Sequence, residues 1–263
     1  MSVYDAVAPG FDRLRGFPDG VAAAIRRAVL DAIRCAAQPL LLDLGAGSGR
    51  IGATFAAAGD RYIGVDLSFG MLRVFAARRD LACPHVTLLA QADGELLPFR
   101  DATFDAVLLM QVLNSANDWR QLAAEATRVL APTGTLIVGR TVAPEDGIDA
   151  RMKLRLADLL DAMSAEARRK QPSDAATRWL ERNCRETCIT TAAAWTAQRT
   201  PRAFLERHAT GARFSVLPPS IKDVAMSRLR DWAVATFGSL DAVFVEPFRY
   251  DLMICRLHPG MPH

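Results

Sequence analysis

The sequence predicts an α/β fold, a doubly wound and mostly parallel sheet, and three observations predict it. Between residues 39 and 139, short apolar runs alternate regularly with stretches of helical periodicity. The runs, Phe104 to Met110 above all, are almost continuously apolar, as strands covered on both faces must be. The first run also ends in an acid and three alternate glycines (Asp43, Gly45, Gly47 and Gly49) that lead straight into a helix. Glycines so spaced let the backbone approach a ligand closely, at the carboxyl edge where open α/β sheets bind.

Each element has its own local cause. Val3 to Phe17 is a mixed segment. Pro18 and Asp19 then introduce a helix from Val21 to Cys35, whose apolar residues recur at helical spacing. Leu40 to Leu44 is the first strand, and Ile51 to Ala58 a helix ended by Gly59. Tyr62 to Val65 is the second strand, closing on Asp66. Ser68 caps the next helix, through about Arg79. Val86 to Ala90 is the third strand, followed by a loop with Asp93, Gly94, Glu95 and Pro98. After the fourth strand, Asn117 or Asp118 caps a helix running to Leu130. Pro132 and Gly134 turn the chain into a fifth strand, Thr135 to Gly139. Ile148 to Arg182 is charged and helical, with a break at Pro172-Ser173-Asp174, and forms a lid. Glu186 to Gln198 is a strand. Pro201 to His208 and Ser220 to Phe237 are helices, and Val243 to Leu257 is a long final strand.

Composition narrows the class. The chain has 263 residues, half of them hydrophobic, ample for a sizeable core. No apolar run approaches the length of a membrane span, and the acid-bearing N-terminus does not read as a signal peptide. Five irregularly spaced cysteines make no disulfide framework, which points to a reducing cytoplasm. A net charge of only +3 gives no electrostatic case for nucleic acid. Cys184 and Cys188 are four apart, but with only His208 anywhere near them in sequence they fall short of a zinc set, so no metal is expected.

The glycine loop fits two kinds of nucleotide. Gly47, Gly49 and Gly52 match G-x-G-x-x-G, the dinucleotide fingerprint of an NAD-dependent oxidoreductase. In that frame the first glycine makes the strand-ending turn, yet Gly45 already stands there. The other frame, Asp43-x-Gly45-x-Gly47-x-Gly49, puts a carboxylate where it would repel a diphosphate and attract an amine. Tyrosine occurs only at 4, 62 and 250, with no lysine close behind, so the short-chain oxidoreductase pair has no candidate.

Four segments in order resemble class I S-adenosylmethionine-dependent methyltransferases, specifically the type 11 group that includes ubiquinone and menaquinone biosynthesis enzymes. Leu42 to Gly49 is similar to the family's glycine loop. Gly64-Val-Asp66-Leu-Ser68 with Met71-Leu72 resembles its second-strand acidic motif. Gln91-Ala-Asp93-Gly-Glu, with Leu97-Pro98-Phe99 and Thr103-Phe104-Asp105, resembles its adenine-side motif. Glu125 and Arg128 to Gly134 are similar to the segment before the fifth strand. The resemblance covers about the first 140 residues. It implies a Rossmann-like sheet with an antiparallel final strand and a helical lid inserted after strand 5. Expected divisions are an N-terminal cover (1–36), a cofactor-binding core (37–142), the lid (143–185) and the rest of the sheet with its helices (186–263).

The resemblance also implies roles. Asp66 would accept from both ribose hydroxyls, and Leu67 and Met71 would sandwich adenine. Asp93 would accept from the adenine amine, with Ala92 and Gly94 along the ring edge. Asp43, Gly45, Ala46, Gly47 and Gly49 would line the methionine portion, and S-adenosylhomocysteine would be the product. Tyr4 and Arg15 resemble a segment folded over the donor. Gln111 lies where donor faces acceptor. Relatives often carry a histidine near position 114, but Asn114 stands here, so Gln111 and Asn114 are only weak catalytic candidates. The Asn/Asp-Pro-Pro-aromatic signature of nucleic-acid amino-methyltransferases is missing after the fourth strand. The expected partner is therefore a small-molecule acceptor of unspecified atom, with no nucleic acid and no membrane, on a monomer or homodimer. A donor-binding protein without catalysis is the reading from another class.

Overall fold

The computed structural model describes residues 4–5, 8–33, 38–79, 87–113, 115–163, 175–209, 214 and 217–257. In chain order these hold α1 (Val21–Ala32), β1 (Leu41–Leu44), α2 (Gly52–Ala57), β2 (Tyr62–Asp66), α3 (Phe69–Arg79), β3 (Thr87–Gln91) and β4 (Phe104–Met110). They continue with α4 (Trp119–Val129), β5 (Leu130–Val142), α5 (Ile148–Met163), α6 (Ala175–Asn183), β6 (Cys184–Arg199), α7 (Pro201–Ala209), α8 (Pro219–Phe237) and β7 (Phe244–Leu257). Two short 3₁₀ turns, Ala8–Gly10 and Asp12–Leu14, precede α1.

The seven strands form one sheet in the order β3-β2-β1-β4-β5-β7-β6. The four pairings among β1 to β5 are parallel, and β7 alone runs against its neighbours, antiparallel to β5 on one side and β6 on the other. The predicted antiparallel final strand is therefore present. Strand order reverses between β1 and β4, which opens a crevice at their carboxyl ends.

Alternation of side chains divides the core between the two faces. Leu42, Val107, Leu109, Leu136 and Val138 meet Leu122 and Val129 of α4 and Leu180 of α6 on one face. Leu41, Leu108, Ile137 and Leu252 meet Ile25 and Val29 of α1, Phe55 of α2 and Phe75 of α3 on the other. A third apolar cluster lies apart from both. It joins Ile148, Met152 and Leu156 of α5 to Phe204 and Leu205 of α7 and Leu229 of α8. The two helices of the 148–182 stretch thus serve different layers, α5 with α7 and α8, and α6 against the sheet. The break at 172–174 lies outside the described residues.

Local chemistry explains two of the helix starts. Asp118, rather than Asn117, caps α4 by accepting from Arg120 N–H at 2.9 Å. Ser68 Oγ accepts from Met71 N–H at 3.2 Å in the first turn of α3. The fifth strand differs from expectation. It begins at Leu130, and the Pro132–Gly134 turn sits inside it as an irregularity, with Phe104 pairing to Leu130 and Ala106 to Thr135. Proline offers no N–H to the ladder, so those residues loop out and pairing resumes beyond them. β6 also extends a little past both predicted ends, to Cys184 and Arg199. Cys184 and Cys188 part ways there: Cys184 is buried with Cys255, and Cys188 is exposed.

Candidate functional site

The loop after β1 is built on backbone that favours glycine. Gly45, Gly47 and Gly49 have φ of 74°, 56° and 77°. A Cβ on Gly45 would meet Val112 at 2.4 Å, and one on Gly49 would enter the Phe75 ring at 2.3 Å. At Gly47 the nearest atom would be 3.8 Å away, so that side of the loop is open. Gly52, the last glycine of the dinucleotide fingerprint, is a packing residue: its Cβ would strike the Tyr62 hydroxyl at 2.2 Å.

Two carboxylates frame this loop. Asp66, at the end of β2, accepts from Gly47 N–H and Ser68 N–H, both at 2.8 Å. Its burial raises the pKa, and these two amide bonds oppose the rise. Asp43, at 1% exposure, accepts from the Tyr62 hydroxyl at 2.5 Å through Oδ2. Its Oδ1 has no hydrogen-bond partner among the described residues. Burial pushes the Asp43 pKa up to about 7, against the pull of the Tyr62 bond and with a smaller push from the Asp66 charge. A buried acceptor without a donor is costly, so a cationic or N–H-bearing ligand group would relieve it.

The adenine-side residues are more open. Leu67 is 49% exposed at the sheet edge, whereas Met71 is 3% exposed and faces inward. Asp93 is exposed, and its Oδ1 accepts from Glu95 N–H at 2.9 Å in an Asx-type turn. Ala92 and Gly94 are half-buried beside it, and a Cβ on Gly94 would meet Leu122 at 2.6 Å. Arg128 clamps the loop beyond, donating to the carbonyls of Leu97 and Phe99 and pairing with Glu125 and Asp101.

The N-terminal segment is tied across these parts. Asp5 accepts from Ser68 Oγ at 2.6 Å and Gly70 N–H at 2.9 Å, at the start of α3. Asp12 accepts from Ser48 Oγ of the glycine loop at 2.5 Å and pairs with Arg78. Tyr4 donates to Ser115 Oγ at 3.1 Å, just past β4. Arg15 lies over the Phe11 ring, 4.5 Å from its centroid, and its carbonyl accepts from Arg50. Gln111, at φ 64°, accepts from Arg50 at 3.0 Å and donates to Thr141 Oγ at 2.6 Å. Both ends of that amide are therefore engaged. Asn114 lies outside the described residues.

The family described as a Methyltransferase domain matches residues 42–138, the stretch that carries the glycine loop, Asp66, Asp93 and Gln111. A demethylmenaquinone methyltransferase of Thermobifida fusca is 36% identical over 52% of this chain and 58% of its own length. One of Clavibacter sepedonicus is 32% identical over 63% of this chain and 69% of its own. The chain belongs to the S-adenosylmethionine-dependent methyltransferase family. The match spans somewhat over half the length of the Thermobifida relative. Among solved structures, the YcgJ protein of Bacillus subtilis shares the fold, with 21% identity, a TM-score of 0.57, and coverage of 88% of this chain and 98% of that one.

In this member of the family, the carboxyl edge of the sheet brings Asp43, the glycine loop and Asp66 together, with Leu67 and Asp93 more exposed beside them. Sequence reasoning missed Asp5, Asp12, Ser48, Arg50 and Thr141. Of these, only Asp12 carried a usable signal, as an acid beside two arginines in a segment already suspected of covering the site.

Proposed function

We propose that the protein transfers a methyl group from S-adenosylmethionine to a small-molecule acceptor. One observation carries the donor assignment: the buried Asp43 Oδ1, without a hydrogen-bond partner among the described residues, at the head of the loop on which Gly47 has an open side. A carboxylate with a spare acceptor fits an ammonium and would repel a diphosphate, which favours the sulfonium donor over a dinucleotide. Bound there, S-adenosylmethionine supplies an electrophilic methyl group for an in-line displacement.

The chain's own residues do the rest. The Gly45–Gly49 backbone and Asp43 hold the amino acid portion. Asp66 still has lone pairs on both oxygens after accepting two amide bonds, so it suits a vicinal diol. Leu67 offers an apolar platform for adenine over the buried Met71, and Asp93 stands ready for the exocyclic amine. Residues 4–5 and 8–17, held by Asp5, Asp12 and Tyr4, cover the donor and keep water out. Gln111 is an amide and takes no proton; held between Arg50 and Thr141, it stiffens the ground between donor and acceptor.

Calorimetry with S-adenosylhomocysteine tests the donor assignment. The wild type should bind, and Asp66→Ala should bind at least tenfold more weakly, as expected for loss of a charged hydrogen-bond partner. Equal affinity would remove Asp66 from the site. Turnover of methyl-labelled donor against a metabolite extract tests the transfer itself.

A further inference from the structure

Beyond Gln111 the site runs into a chain of arginines. Arg50 donates to Gln111 Oε1 and to the Arg15 carbonyl. Arg15 donates from Nη2 to the carbonyl of Arg207 at 2.6 Å. Arg207 bonds Asp149 Oδ1 at 2.6 Å, and Arg199 Nε stands 3.8 Å from the other Asp149 oxygen. Four elements distant in sequence thus bring their guanidinium groups to one place.

Among the described residues, the carboxylates set against these guanidinium groups are fewer than the groups themselves. Asp149 is shared between Arg199 and Arg207. Glu246 favours the Arg199 charge, with Oε1 accepting from Ile148 N–H at 2.6 Å and Oε2 buried without a hydrogen-bond partner among the described residues. Asp12, which favours the Arg15 charge, is itself paired with Arg78. Arg15 Nη1 and Arg199 Nε are buried with no hydrogen-bond partner among the described residues. Burial and the neighbouring Arg207 both lower the pKa of Arg15 and of Arg199. Guanidinium groups do not shed their protons in proteins, so these sites stay charged and call for an anion. An aromatic wall runs alongside. Phe17, under Arg50, meets Trp195 edge-on at 5.9 Å, and Trp195 stacks on Phe248 at 6.0 Å, under Arg199.

We infer that Arg15, Arg199 and Arg207 form an oxyanion-binding subsite that takes a carboxylate or phosphate group carried by the methyl acceptor. This rests on the donor site proposed above and adds to it the acceptor's class, an anionic molecule with a flat apolar body along the aromatic wall. The same arginines could instead receive the donor's own carboxylate, and the test separates the two sources.

Inorganic phosphate is titrated calorimetrically into protein saturated with S-adenosylhomocysteine, and S-adenosylhomocysteine separately into the unliganded protein. Phosphate should bind the saturated wild type. Arg199→Met keeps an apolar stem against Phe248, and should weaken phosphate at least tenfold while leaving S-adenosylhomocysteine within twofold. Arg199→Lys keeps the charge without the planar fork and should fall between, which covers the case that the methionine variant does not fold. Unchanged phosphate affinity in both variants overturns the subsite. So does phosphate excluded by S-adenosylhomocysteine together with weaker S-adenosylhomocysteine binding in the variants, which would give the arginines to the donor carboxylate. If the wild type binds no S-adenosylhomocysteine, the donor reading fails, and phosphate titrated into unliganded wild type and variants still decides the subsite.

Discussion

Gly45, Gly47 and Gly49 share a left-handed backbone but answer different demands. Gly45 and Gly49 also have side chains pressed against them, Val112 and Phe75, whereas Gly47 faces open space. Gly49→Ala should therefore lose the roughly 1–2 kcal/mol of a left-handed alanine plus about 1–3 kcal/mol of overpacking. Gly47→Ala should lose only the first amount in chemical denaturation, yet bind S-adenosylhomocysteine far more weakly. Equal losses of stability would put both glycines down to packing. Asp43 gives a pH signature. Its carboxyl has a folded pKa raised to about 7 from 3.8, so the folded state holds a proton that the unfolded chain gives up. The cost of burying the charge is absent below about pH 4, grows between the two values, and is complete above about pH 7, on the order of 4 kcal/mol. Asp43→Asn should gain stability relative to wild type as pH rises from 5 to 8. A donor ammonium beside Asp43 favours the carboxylate, so S-adenosylhomocysteine affinity should fall from pH 8 to pH 6 in the wild type and stay flat in Asp43→Asn. A flat wild-type profile would place the amine elsewhere.

Among the elements, β1 and β4 were legible because buried parallel strands are apolar on both faces, and Leu41 to Leu44 or Phe104 to Met110 could hardly be anything else. The start of β5 was not legible. Pro132 and Gly134 are turn residues by local chemistry, and only pairing with β4 on both sides of them makes the stretch one irregular strand. The N-terminal segment was expected as a cover from its resemblance, but its anchors were not legible, since they lie 36 to 111 residues away, at Ser48, Ser68 and Ser115. Those anchors are hydrogen bonds at the rim of the site, not core packing. Replacing both Asp5 and Asp12 with alanine should therefore cost little global stability, while speeding S-adenosylhomocysteine release at least fivefold in stopped-flow measurements. An unchanged release rate would mean that the segment is fixed to the crevice without closing it.

At the scale of the molecule, two structures share one chain: a sheet clothed on both faces, and a helical layer of α5, α7 and α8 with its own apolar core. Apart from Tyr4 and Arg15, the proposed donor residues belong to the sheet and its loops, which is why they could be read from consecutive sequence. The arginine chain spans both structures, with Arg15 meeting Arg207 across 192 residues, and no local pattern announces such a meeting. The helical layer has an apolar cluster of its own, apart from both faces of the sheet, so it should open as a separate unit. Phe204 is the place to test this. It is fully buried within that layer and stacks on His208 at 3.8 Å, whose pKa burial lowers to about 4, leaving the ring neutral at pH 7. Phe204→Ala should cost roughly 3–5 kcal/mol at that site. Hydrogen exchange should quicken in α5, α7 and α8 while β1, β4 and β5 stay protected. S-adenosylhomocysteine affinity should change less than threefold, because the donor residues sit on the sheet, while methyl turnover falls at least tenfold, because Arg207 and Asp149 lose their support. Loss of protection in the central strands to the same degree would show instead a single cooperative unit, in which donor and acceptor sides cannot be loosened one at a time.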